Sequence, residues 1–223
     1  MYSSPFSAPA SSGVLTSDLT LNPAPTPAPA LTLVTGPARS GKSEWAEYLA
    51  HQAAQGGAAV TYIATGQWDP QDQDWCDRLE RHRHRRPPTW QTLECPFDLV
   101  PILQASTAQD CLLIDSLGTW VANYIEKDGE SWRSIEAAVL QQLPCTAASV
   151  IAVAEETGWG VIPATAVGRV FRDRLGSCIR QVGQLAQRVY LVTGGYAVDL
   201  TQVGTPLPPL ALGSSPFSAG PSE

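Results

Sequence analysis

The chain has 223 residues and a formal net charge of −7, from 14 Lys and Arg against 21 Asp and Glu. That balance argues against general affinity for nucleic acid, whose phosphate backbone calls for a basic surface. No stretch approaches the roughly 20 apolar residues of a membrane span, and the length suffices for one sizeable α/β domain. Five cysteines (76, 95, 111, 145 and 178) are scattered, odd in number and without a C-x-x-C pair. Neither a zinc knuckle nor a complete disulfide framework follows, and a reducing cytoplasm is the simplest fit.

In chain order, residues 1–30 are rich in Ser, Pro, Ala and Thr and carry the run Asn22-Pro23-Ala24-Pro25-Thr26-Pro27-Ala28-Pro29. This composition predicts a disordered extension. It has no basic n-region, long apolar segment or arginine, which argues against a secretory signal or a transit peptide. The apolar run Leu31-Thr32-Leu33-Val34 predicts a strand, and Ser43 to Gln55 a helix. Between them, Gly36-Pro37-Ala38-Arg39-Ser40-Gly41-Lys42-Ser43 fits the phosphate-binding P-loop pattern G-x-x-x-x-G-K-[ST] at every fixed position. Further strands are expected at Ala58–Ala64, Trp90–Glu94, Cys111–Asp115, Ser149–Ala154 and Arg188–Thr193. Helices are expected at Gln71–Arg85, Asp98–Ala105, Leu117–Ile125, Ser131–Leu143 and about Ala164–Gln187. Residues 206–223 read as a second disordered tail. The alternation defines an α/β domain over residues 31–205, a P-loop NTPase-type, mainly parallel sheet flanked by helices on both faces.

Ligands of such sheets sit at the carboxyl ends of the strands. There the sequence places the P-loop, Thr65-Gly66-Gln67, Asp115-Ser116 and Glu155-Glu156-Thr157-Gly158. In the P-loop, backbone N–H groups turn inward around phosphate oxygens, Lys42 adds a point charge, and the Ser43 hydroxyl is suited to Mg²⁺. Pro37 removes one backbone donor from that cradle. Asp115 closes an apolar strand, as does a Walker B carboxylate that holds the Mg²⁺ shell. Alone it reads first as the cap of the next helix; beside an upstream P-loop the metal role is favoured. Glu94 also ends a strand, and periodicity by itself makes it a surface carboxylate.

The second unusual feature is Arg78-Leu79-Glu80-Arg81-His82-Arg83-His84-Arg85-Arg86-Pro87. Nearby guanidinium groups favour an unprotonated, nucleophilic imidazole and neutralise phosphates. A solvated basic helix face explains the same run equally well. His51 reads as structural or exposed, and the tryptophans as core or rim, although Trp159, between two glycines, is placed where a ligand stacks.

Taken together, Gly36 to Ser43, Tyr62-Ile63-Ala64-Thr65, Arg78-Leu79-x-x-His82-Arg83-x-x-Arg86-Pro87-x-x-Trp90, Leu112-Leu113-Ile114-Asp115-Ser116-Leu117 and Glu156-Thr157-Gly158-Trp159-Gly160-Val161-Ile162-Pro163 resemble a known family. It is the bifunctional adenosylcobinamide kinase/adenosylcobinamide-phosphate guanylyltransferase family of cobalamin assembly, and the resemblance spans about Leu31 to Leu200. It implies phosphorylation of adenosylcobinamide by a nucleoside triphosphate, ATP or GTP, followed by transfer of GMP from GTP to the phosphate through a GMP-histidine intermediate. The matching histidine is His82. The resemblance further implies nucleotide or metal contacts at Thr65, Gly66, Arg85, Arg86, Glu94 and Asp115, with Mg²⁺ on Ser43 and Asp115. It also implies a homo-oligomer, with a trimer sharing sites between subunits as one form. Two other readings compete: a P-loop small-molecule kinase with a single activity, which leaves the His82 motif without a purpose, and a non-catalytic nucleotide-binding regulator. The sequence lacks the Asn-Lys-x-Asp motif of GTPase switches and the Leu-Ser-Gly-Gly signature of ABC subunits.

Overall fold

The computed structural model describes residues 30–67, 71–73, 80, 83–160 and 162–208. Apart from their inner ends, the expected N-terminal extension and C-terminal tail lie outside the described residues, as do His82, Arg78 and Arg81.

Among the described residues seven strands form one sheet: β1 (Leu31–Gly36), β2 (Ala59–Ala64), β3 (Gln91–Glu94), β4 (Asp110–Asp115), β5 (Ser149–Glu155), β6 (Arg188–Thr193) and β7 (Tyr196–Asp199). Their order across the sheet is β3-β2-β4-β5-β1-β6-β7. All neighbours are parallel except β6 and β7. The helices are α1 (Lys42–Gln55), α2 (Val100–Ala105), α3 (Leu117–Asn123), α4 (Gly129–Gln142), α5 (Ala166–Leu185) and α6 (Leu200–Val203), with a short 3₁₀ turn at Leu143–Cys145. The expected mainly parallel, helix-flanked sheet is present.

The central strands read as continuous apolar runs because both of their faces are covered. Successive side chains nevertheless separate with period two. Leu33, Ile63, Ile114 and Ala152 enter the core that includes Trp120, Trp132, Leu175 and Val182 of α3, α4 and α5. Val34, Tyr62, Leu113 and Val153 enter the opposite core, built on Ala46 and Ala50 of α1. Each fully buried Leu, Ile or Val contributes about 1.5–3 kcal/mol relative to exposure, so both layers hold the sheet.

Local chemistry sets the helix starts. The Asp128 carboxylate accepts from the Glu130 and Ser131 amides to open α4, and the Thr165 hydroxyl accepts from the Gly168 amide to open α5. Strand β7 and helix α6 were not among the expected elements. Their signal was present: Gly194 and Gly195 both adopt positive φ (59° and 82°) and make the two-residue link between antiparallel strands that a Gly-Gly pair favours.

Candidate active site

The carboxyl edge of the sheet is fixed by strand register. Gly36 of β1 pairs with Glu155 of β5, Asp115 of β4 pairs with Val153, and Ala64 of β2 lies between Asp115 and Glu94. A cleft of about 270 Å³ opens there, lined by Ala38, Ser43, Tyr62, Ala64, Gly66, Arg86, Asp115, Ser116, Gly118, Thr119, Ala122, Glu155 and Phe171. Residues far apart in sequence thus share one site.

Of the predicted P-loop, Ala38 and Ser43 line the cleft. The backbone turns through positive φ at Arg39 (59°) and Gly41 (92°), and at Gly41 the absence of a Cβ removes the steric cost. Gly41 caps α1 without any side chain bonding to the first turn, so the N–H groups and dipole of that turn are available to an anion. Lys42 is only 4 % exposed and its Nζ donates to the Pro37 carbonyl at 3.4 Å. Ser40 Oγ and Arg86 Nε are buried with no partner among the described residues. Buried donors of this kind are rarely left unmatched, and phosphate oxygens match them.

Asp115 is held from β2. The two strands place Tyr62 and Asp115 on the same face, and the Tyr62 hydroxyl donates to Asp115 Oδ2 at 2.7 Å. The phenol is raised well above its usual range, first by burial and next by the negative charge of Asp115. The Arg86 guanidinium carbon lies 3.5 Å from the Tyr62 ring centroid, a cation–π contact that brings a positive charge to the cleft. Asp115 is not the cap of the following helix. Ser116 is, in a reciprocal capping box with Thr119, and the Asp115–Ser116 peptide is cis.

The remaining predicted residues are distributed. Gly66 lines the cleft, but Thr65 is fully buried behind it. Its hydroxyl donates to the Ser116 carbonyl at 2.7 Å, accepts from the Ser116 amide at 2.8 Å and touches the Thr119 hydroxyl. Thr65 therefore fixes the turn after Asp115. Arg85 reaches α1, pairing with Glu44 at 2.8 Å and Glu47 at 3.1 Å, and Glu94 is exposed at the end of β3. Neither lines the cleft. Trp159 is 65 % exposed and also outside the lining. Sequence reasoning set Ser116 and Glu155 at the ligand-bearing edge without giving either a role, and did not single out Thr119 or Phe171 as site residues. The Ser-x-x-Thr spacing and the charged end of β5 were the available signals.

An oxygen donor set of one hydroxyl, Ser43, and one carboxylate, Asp115, on a shared cleft suits Mg²⁺, which takes one or two protein oxygens and completes its shell with phosphates and water. Among the described residues no group of three or more His, Cys, Asp or Glu side chains is placed to hold a metal by itself, and a phosphate-borne ion needs none.

Residues 32–200 match the model of the family described as cobinamide kinase / cobinamide phosphate guanyltransferase. The bifunctional adenosylcobalamin biosynthesis protein CobP of Pseudomonas aeruginosa is 37 % identical over 182 residues, covering 78 % of this chain and 98 % of that protein. The bifunctional adenosylcobalamin biosynthesis protein CobU of Salmonella typhimurium is 35 % identical over 188 residues, covering 76 % of this chain and 99 % of that protein. Among solved structures, the flagellar accessory protein FlaH from Methanocaldococcus jannaschii superposes with a TM-score of 0.45 at 15 % identity, over 80 % of this chain and 82 % of that one. With the match running from the first strand to the start of the last helix, the chain belongs to the cobinamide kinase / cobinamide phosphate guanyltransferase family.

Proposed function

We propose that this protein phosphorylates adenosylcobinamide with ATP or GTP and then transfers GMP from GTP to the phosphate, both at the cleft of β1, β4 and β5. The observation that carries the reading is the convergence of Ser43, Arg86 and Asp115 on one cleft, within a chain whose family is defined by the two reactions.

In the first reaction the P-loop amides and Lys42 hold the β- and γ-phosphates while the substrate oxygen attacks the γ-phosphorus. In the second, His82 forms a bond to the α-phosphorus of GTP, and pyrophosphate leaves. A cobinamide phosphate oxygen then attacks that phosphorus, breaks the P–N bond and frees the imidazole. Arg86, held over Tyr62, supplies charge to the phosphates. Ser43 and Asp115 are the residues that would hold Mg²⁺, which supplies neutralisation of phosphate charge. Thr65 orders the turn that carries Asp115, while Gly66 borders the nucleotide. Nucleotide contacts by Arg85 and Glu94 rest on the family resemblance alone, since neither lines the cleft, and a homo-oligomer accommodates the bulky corrinoid. A cytoplasmic location accords with the free state of Cys95, Cys111, Cys145 and Cys178. Among the described residues no helix is long and apolar enough to cross a membrane.

The test is covalent labelling. GTP labelled at the α-phosphate is expected to give an adduct stable to alkali and lost in mild acid, as a phosphoramidate is. His82→Ala should abolish the adduct and spare at least part of the kinase reaction. A wild-type protein without adduct, or a His82→Ala protein labelled as strongly as wild type, sinks the histidine mechanism.

A further inference from the structure

We propose that Glu155 is a catalytic residue of the kinase step alone, accepting the proton of the substrate hydroxyl that attacks the γ-phosphorus. The inference rests on the two-reaction reading above and assigns within it a residue that the nucleotide motifs leave unused.

Glu155 ends β5, the strand lying between the P-loop strand β1 and the Asp115 strand β4. Its carboxylate lines the cleft together with Ser43 and Asp115. It is also deliberately oriented: the Ser116 hydroxyl donates to Glu155 Oε1 at 2.8 Å and lies 3.0 Å from Oε2. Space for it exists only because residue 118 is glycine. A Cβ at that position would stand 1.9 Å from Oε2 and 2.8 Å from the carboxyl carbon. Among the described residues no Lys, Arg or His forms an ion pair with it.

A carboxylate without a cationic partner beside a triphosphate site repels the very ligand the site binds, so its placement needs a compensating use. The two carboxylates of the cleft are differentiated by their surroundings. Asp115 accepts from the buried phenol of Tyr62, while Glu155 is met by one small hydroxyl and retains acceptor capacity on both oxygens. Two acids in unlike settings commonly divide two roles. Here Asp115 serves the phosphate side and Glu155 the acceptor side.

The two reactions differ in what they demand of such a group. In phosphorylation the alcohol oxygen forms a bond to the γ-phosphorus and the bond from that phosphorus to the β–γ bridging oxygen breaks. The nucleoside diphosphate departs with that electron pair. The alcohol proton passes to a Glu155 oxygen and from there to solvent. In guanylyl transfer the acceptor is a phosphate oxygen already stripped of its proton, and no base is required.

The experiment compares both steps on the same preparations of full-length protein. Glu155→Gln keeps the shape and the hydrogen bond from Ser116 and removes the proton acceptor. Its kinase kcat is expected to fall about 100-fold with little change in KM for the alcohol. The rate of GMP transfer to preformed cobinamide phosphate should fall at least about tenfold less. Gly118→Ala provides a second route, because its methyl displaces only the flexible end of Glu155. It should reproduce the selective kinase loss with the thermal midpoint near that of wild type, and the double variant should be no slower than Glu155→Gln. Equal losses in the two steps, or a Glu155→Gln kinase within about threefold of wild type, overturn the assignment. Additive losses in the double variant overturn the link between Gly118 and Glu155. A wild-type protein that phosphorylates nothing instead refutes the proposed function and is thereby distinguished from failure at Glu155.

Discussion

The P-loop side of the cleft presents chiefly backbone, turned inward through positive φ at Arg39 and Gly41, whereas the side formed by β2, β4 and β5 presents side chains that hold one another: Tyr62 on Asp115, Thr65 on the Ser116 backbone, and Ser116 on Glu155. The first side recognises a charge pattern shared by all nucleoside triphosphates and depends on few side chains. Under the proposed function the second faces the acceptor, and each of its hydroxyls and carboxylates sits where another residue places it. Loss of a common phosphate contact should therefore injure both reactions alike, while changes on the side-chain wall should separate them.

The largest effect expected from breaking the backbone side is at Lys42. Lys42→Ala removes the buried point charge of the cradle, and kcat should fall about 10²–10³-fold in both reactions. Steady-state assays of the two steps check this, and kinase turnover retained beside lost guanylyl transfer would refute a shared P-loop.

Next in size is Tyr62→Phe, which deletes a buried hydrogen bond to a carboxylate and should cost about 1.5–3 kcal/mol in denaturant unfolding. It also carries a pH signature. An unfolded tyrosine ionises near 10.0, and the folded pKa of Tyr62 is raised by burial and by Asp115. Below that value both states keep the proton. As pH rises above it the unfolded chain loses the proton first, so this residue's share of stability declines with alkalinity. Thermal midpoints from pH 8 to about 11 should fall less steeply in Tyr62→Phe than in wild type; parallel slopes would count against the buried phenol.

The smallest effect is expected at Arg85. Its ion pairs to Glu44 and Glu47 are partly exposed, and burial opposes the two glutamates that raise its pKa. Arg85→Ala should cost less than about 1 kcal/mol. The KM for GTP decides what else the side chain does: a large rise supports the nucleotide contact implied by the family resemblance, and an unchanged value leaves Arg85 as a strap between its own segment and α1.

Much of this was legible in the chain because the signals are local. Short apolar runs marked β1, β2, β4 and β5 within a residue or two, and the loop from Gly36 to Ser43 is contiguous, so its cradle needs no distant partner. Asp115 was open between metal and cap until Ser116 proved to be the residue that caps α3. Thr65 illustrates the opposite case: its motif marks it for the nucleotide, but its hydroxyl is buried against Ser116 and Thr119, contacts set by residues about fifty positions away. Edge strand β7 escaped notice because four half-exposed residues carry little hydrophobic pattern, although the Gly194-Gly195 turn announced it.

The sequence by itself determined the alternation of strand and helix, the phosphate loop and the set of chemically capable residues, since propensity, period and turn chemistry act over a few neighbours. Only the tertiary structure decided which of those residues meet. Parallel register sets Gly36 beside Glu155 and Ala64 beside Asp115, and the missing side chain at Gly118 opens the space that Glu155 occupies. Such encounters arise from the order in which strands enter the sheet, a property of the whole chain's burial that no short stretch encodes.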